Sequence, residues 1–202
     1  MAGWGPRRPA AGRVLRSEQL IEQPWMALRR ERLRDADGST AEHVVLEYPD
    51  WVDVVALTAD FDIVLVDQYR HPVHEMRTEL PAGAVDRNEP PLQAIQRELR
   101  EETGYVSEDW HLLGSAPVNP AWQTNRIHSF LALGARHAGE QELDKGEFIR
   151  GRRLPFLEFL RQVDQGELEL PLLQLAGLYL LQQFLRRTAD PRLASLRARA
   201  GL

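Results

Sequence analysis

The amino-acid sequence predicts an α/β fold. Three observations carry this expectation: paired β-branched runs separated by turn residues in the first third of the chain, one segment of helical periodicity introduced by two prolines, and leucine-rich segments of helical length near the end. The stretch Trp25 to Tyr48 reads as two extended segments joined at Asp37-Gly38, a strong turn dipeptide, and hence as a hairpin. "WVDVVALTADFDIVLVDQYRH" then supplies two β-branched runs with a polar turn near Ala59 to Asp62, expected to be paired strands. Pro90 and Pro91 suit the start of a helix, where a missing N–H costs nothing, and Leu92, Ile95 and Leu99 follow at helical spacing. Gly104 stands where a left-handed residue would end that helix. "HLLGSAPV" and "RIHSFLALGAR" read as strands, "LPFLEFLRQVDQG" and "LLQLAGLYLLQQFLRRTA" as helices. The last leaves little polar face and is expected to lie buried against the sheet.

The bounds are those of an ordinary globular chain. Its 202 residues, 43% hydrophobic and 27% charged, suffice for one domain with a small appendage. A net charge of -5 argues against a general nucleic-acid or anionic-membrane binder, which needs a basic face. Cysteine is absent, which removes disulfides, thiolate metal sites and a cysteine nucleophile and suits a cytoplasmic location. No apolar run approaches the ~18 residues of a membrane span. Residues 1–15 read as a flexible tail, with a docked arm as the alternative. Residues 16–50 read as the hairpin subdomain, 51–190 as the main domain and 191–202 as a C-terminal tail.

One segment breaks the local rules. In the helix from Pro91 to Thr103, Glu98 and Glu102 are four residues apart and share a face, and Glu101 is three from Glu98. The C-terminal end of a helix carries partial negative charge, so acids there are disfavoured by a few tenths of a kcal/mol each. Two carboxylates about 4 Å apart repel by roughly 4 kcal/mol at an effective dielectric near 20. Either Arg97 and Arg100 offset this in a salt-bridged surface helix, or the acids hold a hard divalent cation, Mg²⁺ or Mn²⁺, to which oxygen donors without sulfur are suited.

Here the residues carry a resemblance. Gly83, five residues, Glu89, seven residues, then Arg97-Glu98-Leu99-Arg100-Glu101-Glu102-Thr103-Gly104-Tyr105 is similar to the Nudix box, GX5EX7REUXEEXGU with U a bulky apolar residue. Every fixed position is met; Tyr105 replaces the usual aliphatic residue at the last. Before the box, "QYRHPVHEMRTELPAG" resembles segments of the ADP-ribose and nucleotide-sugar pyrophosphatases of that superfamily, and Pro120 matches their downstream proline. The resemblance implies a Nudix α/β/α sandwich with a mixed sheet and an N-terminal antiparallel element exchanged in a homodimer, for which the Trp25 to Tyr48 hairpin is the candidate. It also implies metal ligation by Glu98, Glu101, Glu102 and the Ala82 carbonyl. Arg97 would position the acids, Gly83 permit the tight loop and Glu89 brace it.

The implied reaction is Mg²⁺-dependent hydrolysis of a diphosphate bond, in ADP-ribose or another nucleoside diphosphate sugar, with Mn²⁺ as a substitute ion. Glu147 is the candidate general base and Glu142 the runner-up, each against the reading of a solvated loop acid. Arg70 and Arg77 are candidates for phosphate or ribose contacts, Glu79 for a water-bridged metal or sugar contact, and Trp51 and Trp122 for stacking on a base. Trp25 reads as an interface residue, and His71 and His74 are weak evidence of ligation. The chain departs from the ADP-ribose group at "NPAWQTNRIH", where Trp122 and Asn125 replace a Ser-Pro-Gly-like turn and acid, so a hexose nucleotide such as GDP-mannose or ADP-glucose stands beside ADP-ribose. The other readings are a nucleoside triphosphate or dinucleoside polyphosphate hydrolase, a non-hydrolysing ADP-ribose-binding module, and an RNA-cap hydrolase, which the overall charge disfavours because it would need a basic RNA path.

Overall fold

The computed structural model describes residues 12–143, 146 and 148–199 and divides into two compact units. The first unit takes in the chain up to Pro49 and returns for Pro117–Asn125. Its strands β1 (Arg13–Gln23), β2 (Met26–Arg34) and β3 (Thr40–Glu47) form an antiparallel sheet in that order. The expected β2–β3 hairpin is present, with Gly38 at φ +87° in its turn and the Asp37 carboxylate accepting from the Ser39 N–H at 2.9 Å. β1 adds a third strand and takes in the end of the stretch read as a tail. The returning segment pairs with β3 through the Leu46 N–H, which donates to the Trp122 carbonyl at 2.7 Å. No residue between 12 and 49 is buried, so this sheet has no core of its own.

The second unit, Asp50–Ala116 and Arg126–Leu202, is built on a mixed sheet. Its strands are β4 (Trp51–Thr58), β5 (Asp62–Arg70), β6 (Glu75–Glu79), β7 (Ala82–Ala84), β8 (Tyr105–Val106), β9 (Asp109–Pro117), β10 (Arg126–His137) and β11 (Ile149–Pro155). Its helices are α1 (Pro91–Thr103), α2 (Phe156–Asp164), α3 (Leu172–Arg187) and α4 (Ala194–Arg199). The order β11-β5-β4-β10-β8 runs through the sheet, with β6 on β5, β7 on β4 and β9 on β10, and the β4–β10 pair is parallel. Alternation along β4 sends Val52, Val54 and Ala56 to one face, against Ile95 and Leu99 of α1. Val55 and Leu57 go to the other, against Phe159 of α2 and Leu178, Leu181 and Leu185 of α3. Burying both faces accounts for the almost unbroken apolar run of this strand. The arrangement is the α/β/α sandwich with a mixed sheet that the resemblance implies.

Two expectations are modified. α3 was expected to be buried for want of a polar face, yet Leu172 and Tyr179 are mostly exposed, and its inward stripe is Gln174, Gly177, Leu178, Leu181 and Leu185. The helix turns inward the residues that fit the sheet rather than all the apolar ones. At the C-terminus, the stretch read as a tail forms a 3-10 turn and α4, with Leu193 and Leu196 buried in the core. Among the described residues no helix is long and apolar enough to cross a membrane.

Candidate active site

The site begins at a split in the sheet. β4 and β5 pair only at Ala56 with Val64 and Leu57 with Ile63. Beyond these pairs β4 takes β7 as its partner, joining Trp51, Val52 and Asp53 to Ala84, Gly83 and Ala82, while β5 takes β6. The chain passes from β6 to β7 through Leu80 and Pro81, which cross the split. The Pro81 carbonyl accepts from the Val54 N–H at 3.1 Å, which satisfies a donor that the parting of the strands would otherwise leave unpaired.

α1 lies over β7 and delivers the box acids. A Cβ on Gly83 would stand 2.1 Å from both Cδ and Oε1 of Glu98, so the absence of a side chain at Gly83 is what admits that carboxylate. Glu102, only 6% exposed, accepts from the Ala82 N–H at 3.1 Å. Arg97 is the hub. Its guanidinium donates to Glu89 at 3.2 and 3.0 Å, to Glu98 at 2.8 Å, to Glu101 at 3.2 Å and to the Ala84 carbonyl at 3.1 Å. Its pKa is raised above the ordinary arginine value, chiefly by the hydrogen bonds to Glu89, whose own pKa is lowered by the same contact. Much of the repulsion among the acids is therefore relieved by one arginine spanning the loop and the helix.

The oxygen-donor set fits a hard divalent cation. The carboxylates of Glu98 and Glu102 lie against adjacent residues of one strand, Gly83 and Ala82, and both come from one face of α1. Among the described residues, no three histidine, aspartate or glutamate side chains form a group able to hold a metal as they stand. Glu98 and Glu101 are turned to Arg97 instead.

Beside these acids opens a cavity of about 690 Å³. Trp51, Arg70, Arg77 and Glu79 line it together with Ala82 and Gly83, so four of the expected substrate residues and the box loop share one space. The two arginines carry ion pairs. Arg70 forms a fork with Glu79 at 2.8 and 2.7 Å, and Glu79 is 3% exposed; Arg77 pairs with Glu75 and Glu169. Trp122 belongs to the first unit and is half exposed, and Asn125 of the same unit is buried, donating to the Pro49 carbonyl at 3.1 Å. Glu147 lies outside the described residues. Glu142 accepts from Arg100 at 2.8 Å, and its N–H donates to the Glu101 carbonyl at 3.0 Å, which ties this loop to α1. His71 and His74 are exposed on a 3-10 turn.

Among the cavity residues that sequence reasoning misses are Asp53 and Gln174. Asp53 has a signal in hindsight, since an acid within the run Val52 to Leu57 is anomalous in a strand buried on both faces. Its carboxyl is almost fully buried, with Oδ2 lacking any hydrogen-bond partner among the described residues. Desolvation pushes its pKa up to about 7, and a hydrogen bond with Ser129 offsets part of that rise. Gln174 has none, because a glutamine among leucines reads as the outward face of a helix.

Comparison with known proteins agrees with this arrangement. The NUDIX domain pattern matches residues 48–172. The chain is 30% identical over 154 residues to a methanol dehydrogenase activator of Bacillus methanolicus, covering 76% of this chain and 83% of that protein. It is 33% identical over 158 residues to an ADP-ribose pyrophosphatase of Mycobacterium tuberculosis, covering 77% and 76% respectively. A crystal structure described as an ADP compounds hydrolase superposes with a TM-score of 0.74 at 17% identity, over 87% of this chain and 94% of that one, a likeness of fold. The chain belongs to the Nudix family.

Proposed function

We propose that this protein is a Mg²⁺-dependent pyrophosphatase that hydrolyses the diphosphate bond of ADP-ribose or another nucleoside diphosphate sugar, releasing a nucleoside monophosphate and a sugar phosphate. The observation that carries the reading is the shared wall: Ala82 and Gly83 line the cavity on one side and meet the acids of α1 on the other. A diphosphate in the cavity would lie beside Glu98, Glu101 and Glu102. The likeness to a protein named ADP-ribose pyrophosphatase supports the same substrate class.

Glu98, Glu101, Glu102 and the Ala82 carbonyl would hold the cation, which, when bound, offsets phosphate charge and acidifies a water. The chain's own residues do the remaining work. Arg97 keeps Glu98 and Glu101 near the strand and offsets one of their charges, leaving the cluster net negative, as a cation site requires. Arg70 and Arg77, held by carboxylates at the cavity wall, present guanidinium edges suited to phosphate oxygens. Trp51 offers a ring for a base. Glu147, with Glu142 as the alternative, takes a proton from the attacking water as its oxygen bonds to phosphorus and the bond to the bridging oxygen breaks. The assembly is a homodimer using the β1–β3 sheet, and neither nucleic acid nor membrane is a partner.

The test is hydrolysis of ADP-ribose, ADP-glucose, GDP-mannose, UDP-glucose, a deoxynucleoside triphosphate and diadenosine polyphosphates, each with Mg²⁺ and with EDTA. EDTA-sensitive release of a monophosphate from a nucleotide sugar is expected. Tight ADP-ribose binding without turnover would make the protein a sensor, and cleavage of triphosphates alone would overturn the sugar assignment. Glu102→Gln should lower kcat by orders of magnitude with the fold intact, since it removes the most buried charge of the acid set. Near-native turnover in that variant would defeat its assignment as a ligand.

A further inference from the structure

α3 makes a contact in this region that helical periodicity does not anticipate. Gln174, in its first turn, is 4% exposed, and its amide grips a single residue of the backbone across the split. Oε1 accepts from the Leu80 N–H at 2.8 Å, and Nε2 donates to the Leu80 carbonyl at 3.2 Å. Bonding the N–H and the C=O of one residue together fixes both the side-chain amide and the path of the chain it holds. A leucine here, like its neighbours, would leave two buried backbone groups unpaired.

Leu80 and Pro81 are the residues that cross between β6 and β7. The crossing is held from the sheet at the Pro81 carbonyl and from the helix at Leu80. Next come Ala82, whose N–H meets Glu102, and Gly83, over which Glu98 lies. α3 packs closely at Gly177, where a Cβ would stand 3.3 Å from Ser129 Oγ and 3.4 Å from each carboxylate oxygen of Asp53. Pro171, Leu173 and Gln174 also line the cavity, so one contact ties its wall to the box loop.

We propose that Gln174 is a positioning residue for the hydrolysis put forward above, on which this inference rests. It sets the path of Leu80 and Pro81, and through them the placement of Ala82 and Gly83 against the acids of α1. It touches neither substrate nor cation in this role.

The test is Gln174→Met, which keeps the length and approximate volume of the side chain and removes both hydrogen bonds. With the substrate found by the hydrolysis panel, kcat should fall at least tenfold while KM changes less than threefold. Amide hydrogen exchange at Leu80, Ala82 and Gly83 should rise at least tenfold, with the β10 amides unchanged. A purely structural glutamine predicts a lower melting temperature and native kcat below it, and that result overturns the inference. Should Gln174→Met fail to fold, Gly177→Val serves as the second variant. Its branches reach past the Cβ position, which itself stands 3.3 Å from Ser129 Oγ, and so press α3 away from the sheet with Gln174 intact, at no cost in helix propensity relative to glycine. Lower kcat with faster exchange at Ala82 and Gly83 supports the proposal; native kcat overturns it. If the unmodified protein hydrolyses nothing in the panel, the functional reading itself fails, and this inference with it. An active native protein and an equally active folded variant remove the inference alone.

Discussion

Gly83 pairs with Val52, and Asp53 is the next residue of β4, paired with Ala82; Gly83 and Asp53 each have a side-chain requirement that their neighbours do not share. At Gly83 an added methyl would meet the far end of the Glu98 side chain, which is flexible, so Gly83→Ala should displace that carboxylate more than it strains the fold. The expected outcome is at least a tenfold loss of kcat with a melting temperature within a few degrees of native. Asp53 bears on stability. Its folded-state pKa of about 7 lies above the ordinary 3.8, so between those values the folded chain keeps a proton that the unfolded chain releases. Its contribution is therefore fully present below pH ~3.8 and lost as pH rises through about 7, by at most about 4 kcal/mol. Asp53→Asn, which cannot ionise, should be more stable than native at pH 8 and closer to it at pH 4. Denaturant titrations of both proteins at the two pH values check this; an equal difference at each would show that burial leaves Asp53 ionised.

At the scale of the element, α1 and α3 contrast. α1 is bounded by local chemistry: Pro90 and Pro91 open it, and Gly104 at φ +71° closes it, its N–H donating to the Arg100 carbonyl at 2.8 Å. That conformation costs a non-glycine residue roughly 1–2 kcal/mol. A Cβ there would also stand 2.1 Å from the Gly139 carbonyl oxygen, a backbone atom that cannot swing aside. Gly104→Ala should therefore destabilise the protein by about 2 kcal/mol or more, lowering the melting temperature by at least several degrees in a thermal scan. An unchanged melting temperature would mean the turn relaxes into another conformation. α3 has no comparable local signals. Its inward stripe is chosen by the sheet, which asks for a small residue over Asp53 and Ser129 and an amide opposite Leu80.

At the scale of the molecule, the β1–β3 sheet lacks a core, since no residue between 12 and 49 is buried. Val14, Leu15, Leu20, Ile21, Trp25 and Val44 are all exposed. A small sheet needs an apolar face covered to be stable in water, and a second copy is the partner proposed above. Sedimentation equilibrium should give a mass near twice 23.1 kDa at micromolar concentration, unaffected by EDTA. Replacing Trp25 and Ile21 together by serine should shift the equilibrium toward the monomer. A single species at the monomer mass in the native protein would refute the dimer.

The sequence alone determined the strands of the hairpin, the limits of α1 and the spacing that places Glu98, Glu101 and Glu102 on one face, because hydrophobic period, proline, glycine and turn residues act over a few positions. It also placed Arg70, Arg77 and Glu79 near the box, by resemblance of the short flanking segment Gln68 to Gly83. Tertiary structure decided that β4 and β5 part after two pairs, that Arg70 faces Glu79, that Asp53 is sealed beneath Gly177, and that Gln174 reaches Leu80. The last contact joins residues 94 apart. Such a pairing leaves no local period to read, because each residue satisfies a requirement created only when the other half of the chain has folded against it.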